Sequence, residues 1–89
     1  MKFRTKKIFV LDTSVLLTNA DSLLYFSTLG NVVLPIKVLE ELDKHKQRQD
    51  SVGANARRTI KFLDEFRENG SLSTGVKVHK GKSNKIFVY

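Results

Sequence analysis

The run Lys7-Ile8-Phe9-Val10-Leu11-Asp12 is apolar at four consecutive positions and then stops on an acid. A strand with one wet face alternates apolar and polar residues. A run without alternation reads as a strand buried on both faces, as in a parallel sheet. Asn31-Val32-Val33-Leu34-Pro35 reads the same way, as a second buried strand closed by proline. Between the two, Asp21 or Ser22 could cap a short helix running through Leu29, with Gly30 as its stop.

From Ile36 the period changes. Val38, Leu39 and Leu42 mark a helix that should end near residue 48, where polar residues take over. Residues 52, 56, 60, 63 and 66 are apolar or small at close to a 3.6 period and predict a long helix over 51–68. Asp50 or Ser51 would cap its start, and Asn69-Gly70 would end it. Segments 76–79 and 85–89 then read as two short strands of a hairpin around Lys80-Gly81-Lys82-Ser83-Asn84. Strands alternating with helices predict an α/β fold with a parallel sheet. At 89 residues there is room for one domain with one modest core. The last apolar segment runs to Tyr89 with no polar finish, so it reads either as a cut element or as an edge strand.

Composition removes several classes of chemistry. No cysteine is present, which excludes a disulfide scaffold, a thiolate zinc site and a cysteine nucleophile. His45 and His79 are too few for a histidine-rich metal site; His45 reads as solvated and His79 has no visible partner. The basic start, Lys2, Arg4, Lys6 and Lys7, is followed by too short an apolar run for a signal peptide. No stretch is long enough to cross a membrane, and the expectation is a soluble cytoplasmic chain. The net charge of +7 favours a polyanionic partner such as RNA.

Asp12 stands where the first strand emerges at its C-terminal end, the edge of a parallel sheet where ligands bind. Thr13 and Ser14 add hydroxyls to the same turn, and Asp12 is equally suited to capping a following helix. Glu40 and Glu41 are separated by helix geometry. At about 100° per residue, Glu40 falls opposite the face of Val38, Leu39 and Leu42, and Glu41 falls at its border. Taken alone, Glu41 is better explained as a surface acid near a helix N-terminus. Together, Asp12 and Glu41 would form a carboxylate pair suited to a hard cation, Mg²⁺ or Mn²⁺, which activates water for phosphodiester cleavage. Lys44, Lys46 and Arg48 follow Glu41, and Arg57 and Arg58 follow the small residues Gly53, Ala54 and Ala56. The segment 76–89 carries four lysines and no acid. Such groups suit phosphate contacts that read no sequence, although any single lysine is better explained as a solvated surface charge. Gly75…Gly81-Lys82-Ser83 is not a P-loop, because five residues separate the glycines and a strand follows instead of a helix.

Phe9-Val10-Leu11-Asp12-Thr13-Ser14-Val15-Leu16-Leu17 resembles the opening strand of a PIN domain. The stretch from Val33 through Leu34-Pro35 to Glu40-Glu41-Leu42-Asp43 resembles that family's second motif. Gly53-Ala54-Asn55-Ala56-Arg57-Arg58 is similar to the PIN domain fused ahead of a PhoH-type ATPase. The resemblance implies a three-layer α/β/α sandwich around a central parallel sheet and a metal-dependent endoribonuclease acting on single-stranded RNA. It implies Asp12 and Glu41 as catalytic and Mg²⁺- or Mn²⁺-binding acids. Thr13, Ser14, Lys44, Arg48, Arg57 and Arg58 are the candidate RNA contacts, and a PhoH-type ATPase domain is the partner expected in a longer parent.

The family also uses one or two later acids, and this sequence has none after Glu68. Residues 1–89 therefore read as a single PIN-like domain incomplete at its C-terminus, either a fragment or a shortened relative. A truncated sheet leaves an open edge that invites pairing with a second copy. The alternative function is a non-catalytic module that binds RNA or a protein partner. A phosphatase of the haloacid-dehalogenase type would need a second acid close after Asp12, where Thr13 and Ser14 stand.

Overall fold

The structure, a computed structural model, describes residues 7–89. Its elements run β1 (Ile8–Val10), α1 (Thr13–Thr18), α2 (Ser22–Leu29), β2 (Asn31–Leu34), α3 (Ile36–His45), α4 (Ser51–Arg67), β3 (Val76–Lys77) and β4 (Lys85–Val88). The sheet order is β1-β2-β4-β3. β1 pairs with β2, and β2 with β4, in parallel; β3 pairs with β4 antiparallel. The fold is α/β with an open, mixed sheet. The C-terminal hairpin forms, but β4 lies inside the sheet instead of at its edge. Its pairing continues past the strand, with Tyr89 N donating to Leu34 O and Ile36 N donating to Tyr89 O.

The route of the chain decides which face is covered. β1 to β2 and β2 to β4 are steps in the same direction across the sheet. Each is a parallel crossover, and right-handed crossovers that step the same way lay their helices on the same face. One core results, in which Leu16, Leu23, Leu42 and Leu63 from the four helices meet Val32, Leu34, Val76 and Ile86 from the sheet. Each such side chain, fully buried, contributes about 1.5–3 kcal/mol. The other face is bare among the described residues. Val10, Val33 and Phe87 align on it by register, and Ile8 and Val10 are 66% and 65% exposed. The expected burial of the first strand on both faces is therefore not met. β1 is an edge strand with one open side, and the second helical layer of a sandwich is not formed by residues 7–89, because the crossovers never reverse direction.

Two helices, not one, separate β1 from β2. Asp12 caps α1 by accepting from Val15 N at 3.2 Å. α1 stops at Asn19, which is extended and whose Oδ1 accepts from Asp21 N at 3.0 Å. Residues of this kind compete with the helix for backbone groups and so end it. α3 ends at His45, a little short of the expected end. Arg57 gathers the carbonyls of Lys46 and Arg48 from the connecting loop, at 2.6 and 2.9 Å. Among the described residues, no helix is long and apolar enough to cross a membrane.

α4 begins at the expected cap. Asp50 accepts from Gly53 N at 3.1 Å and is gripped by the Arg48 guanidinium. That guanidinium, and then the Gly53 N–H, hold the Asp50 carboxyl at about 2, against an ordinary value near 3.8. A depressed carboxyl contributes stability above its unfolded value and loses it as pH falls through the folded one. Unfolding should thus become easier between about pH 4 and pH 2. Asp50→Asn retains a cap acceptor without a titrating charge. It should flatten that part of an acid-titration curve read by circular dichroism. An unchanged acid limb would show that other carboxylates set it.

Candidate metal centre and the residues around it

Asp12 leaves β1 at the C-terminal end of the parallel strands and faces solvent. Its Oδ1 accepts from the Ser14 hydroxyl at 2.8 Å as well as from Val15 N. These two donors, Ser14 first, hold the carboxyl below the ordinary carboxylate value, so it is ionised at neutral pH. The cap thus does two things: it starts α1 and it fixes a negative oxygen at the sheet edge.

Thr13 is buried, and its Oγ1 has no hydrogen-bond partner among the described residues. A buried hydroxyl without a partner is uncommon, and here it adjoins Asp12. Glu41 comes from the next crossover. α3 starts at the C-terminal end of β2, beside that of β1, and packs on α1. Val38 and Leu42 point into the core, leaving Glu41 half-buried and Glu40 exposed. Glu41 lies about 7.5 Å along the helix from its first residue, at 1.5 Å per residue.

The donors near this edge are all hard oxygens: two carboxylates and the hydroxyls of Thr13 and Ser14. In kind they fit Mg²⁺ or Mn²⁺, which favour carboxylate, hydroxyl and water over softer ligands. In number they are few. Among the described residues, no group of three or more acids, histidines or cysteines could hold a metal ion.

The basic residues named from the sequence separate into two kinds. Lys44 is exposed on α3 and enters none of the four ion pairs among the described residues. Arg48, Arg57 and Arg58 all have partners within the chain. Arg48 pairs with Asp50, and Arg57 holds the loop carbonyls. Arg58 pairs with Asp21 at 2.9 Å and lies 5.0 Å from the Phe62 ring centre. Exposed pairs of this sort are worth about 0–1 kcal/mol each, so they orient these side chains more than they stabilise the fold.

Asn55 was missed as a site-supporting residue. Its Oδ1 accepts from Ala20 N at 3.0 Å, and its Nδ2 donates to Leu17 O at 2.9 Å and Thr18 O at 3.3 Å. It therefore clips α4 onto the end of α1, the helix that Asp12 caps. The available signal was a polar amide at the middle of a small-residue stretch on a helix, where neither propensity nor packing asks for asparagine.

The chain matches a family described as "PIN domain" over residues 9–87. It is 41% identical to Protein PhoH2 of Bacillus subtilis over 80 residues, 90% of this chain and 18% of that protein. It is 38% identical to Protein PhoH2 of Thermobispora bispora over 76 residues, 84% of this chain and 17% of that protein. The chain thus spans less than a fifth of the length of the relatives it matches.

Proposed function

This chain belongs to the PIN domain family, and on that premise we propose that it supplies Asp12 and Glu41 to a metal-dependent endoribonuclease site acting on single-stranded RNA. PIN domains are generally nucleases that depend on a divalent metal. The observation that carries the reading is Asp12, an ionised and hydrogen-bonded carboxylate at the ligand-binding edge of the sheet. Glu41 is the second acid, brought to the same end of the sheet by α3.

A bound Mg²⁺ or Mn²⁺ supplies an activated water and stabilises the leaving oxygen. The chain's own residues do the rest. Ser14 holds the Asp12 carboxylate in one orientation, and the Thr13 hydroxyl stands ready for a polar group at the same turn. Lys44 offers an unpaired charge to phosphate. Arg48 and Arg57 shape the α3–α4 loop, Arg58 ties α4 to Asp21, and the charges of Arg48 and Arg58 are partly neutralised by their acids.

The relatives' name, PhoH2, supports a further part of the proposal, a PhoH-type ATPase domain as partner in a longer protein. The free edge of β1 would allow a second copy to pair there. A specific observation favours one other reading. The described residues hold no group of three acids, as a module that binds RNA without cutting it would show.

Incubation of the purified chain with end-labelled single-stranded RNA decides between the two. Cleavage that requires Mn²⁺ and stops with a chelator is the expected result. Retained binding with no cleavage at any metal concentration would assign the binding role instead.

A further inference from the structure

The lysines of the β3–β4 loop stand at the end of the sheet opposite Asp12. The register sets Ile86 beside Val32, so β4 starts level with the start of β2 and its preceding loop lies at the N-terminal end of the parallel strands. Lys7 is at the same end, where its carbonyl accepts from Asn31 N at 2.9 Å. Five residue steps of extended chain lead from Lys7 to Asp12, a distance of about 17 Å.

The loop surrounds a depression of about 470 Å³ lined by Lys77, His79, Lys80 and Lys82 among others. It is anchored at several points. Asn84 Nδ2 donates to Ser27 O and Thr28 O, and Lys85 N donates to Asn31 Oδ1 at 2.8 Å. His79 Nε2 meets the Ser27 hydroxyl at 2.6 Å. Ser27 spends its one proton on Leu24 O, so the imidazole is the donor in that contact. Gly81 turns the loop at φ +79.

The charge of this pole is unopposed. Lys7, Lys77, Lys80, Lys82 and Lys85 enter none of the four ion pairs among the described residues, and residues 69–89 contain no acid. The paired acids, Asp21, Asp43, Asp50 and Asp64, belong to the helices and their caps.

We propose that this anchored lysine loop is a second contact for the RNA backbone, remote from the acid edge, so that the domain engages RNA on both ends of its sheet. The proposal rests on the RNA reading above. Lysines bind phosphate as point charges; the depression is lined by no Phe, Tyr or Trp on which a base could stack, and its one ring, His79, is held by Ser27. The contact is therefore with the backbone and independent of sequence. A short RNA seated at Asp12 does not reach it, and a longer RNA does.

Binding is measured on the full chain by fluorescence anisotropy, in chelator so that nothing is cut, with a short and a long single-stranded RNA. Lys80→Gln/Lys82→Gln is compared with Lys37→Gln/Lys61→Gln, which removes the same charge from exposed positions on α3 and α4. The loop pair should weaken long-RNA binding about tenfold and flatten log K against log salt by about 1.4. It should weaken short-RNA binding less than long-RNA binding, and the α3/α4 pair should do much less to either. Equal losses in both pairs would reduce the effect to net charge and overturn the proposal, as would no loss at all. Loop-dependent capture of anionic vesicles without RNA binding would overturn it too. Cleavage of the short RNA in Mn²⁺ tests the acid site separately, so loop-dependent binding without cleavage would sink only the nuclease reading.

Discussion

Asp12→Asn should lower metal-dependent cleavage at least about a hundredfold while leaving the melting temperature nearly unchanged. Groups that merely support a metal ligand cost 10–100-fold when removed, so a direct ligand should cost at least about the upper end of that range. The structural role of Asp12 is separable from the chemical one. Asparagine caps a helix about as well as aspartate, and its amide oxygen keeps the acceptor that Ser14 and Val15 use. What it loses is the negative charge that a hard cation requires. Initial rates and thermal melts on the same preparation check both halves. Full cleavage by the variant would remove Asp12 from the metal site, and a collapsed melting temperature would show that its charge serves the fold.

Gly53→Ala should destabilise the chain by about 2 kcal/mol or more, against the usual preference of helices. Inside an exposed helix, alanine is better than glycine by about 1 kcal/mol. Here the added Cβ would stand 2.0 Å from Arg48 O and 2.7 Å from Arg48 C. Both obstacles are backbone, and they cannot swing aside as a side-chain tip can. Arg48 O also accepts from Arg57, and the Arg48 side chain grips the Asp50 cap, so retreat of the loop loosens both. The clash therefore outweighs the propensity. A melting temperature lower by about 10 °C is expected for a domain of this size. An unchanged or higher value would show that the α3–α4 loop yields without cost.

These two residues illustrate different kinds of legibility. Asp12 was visible as an acid ending an apolar run, because strand and cap signals are local. Glu41 was separable from Glu40 by helical angle alone, since Val38 and Leu42 define the buried face nearby in sequence. Gly53 was visible as a small residue before Arg57 and Arg58, but its function was not. That depends on how closely the loop at Arg48 returns to α4. The arginines looked free for phosphate and are engaged by Asp21, Asp50 and loop carbonyls. Arg58's partner lies 37 positions away, where no local pattern can point.

By itself, then, the sequence determined most of the elements, the α/β class and the acid at the end of the first strand, all consequences of short-range periodicity, capping and turn chemistry. Only the tertiary structure decided that β4 inserts beside β2, that the four helices share one face, and that the lysine loop stands at the opposite pole from Asp12. Those features follow from strand order and crossover hand, which arise when distant segments pack together.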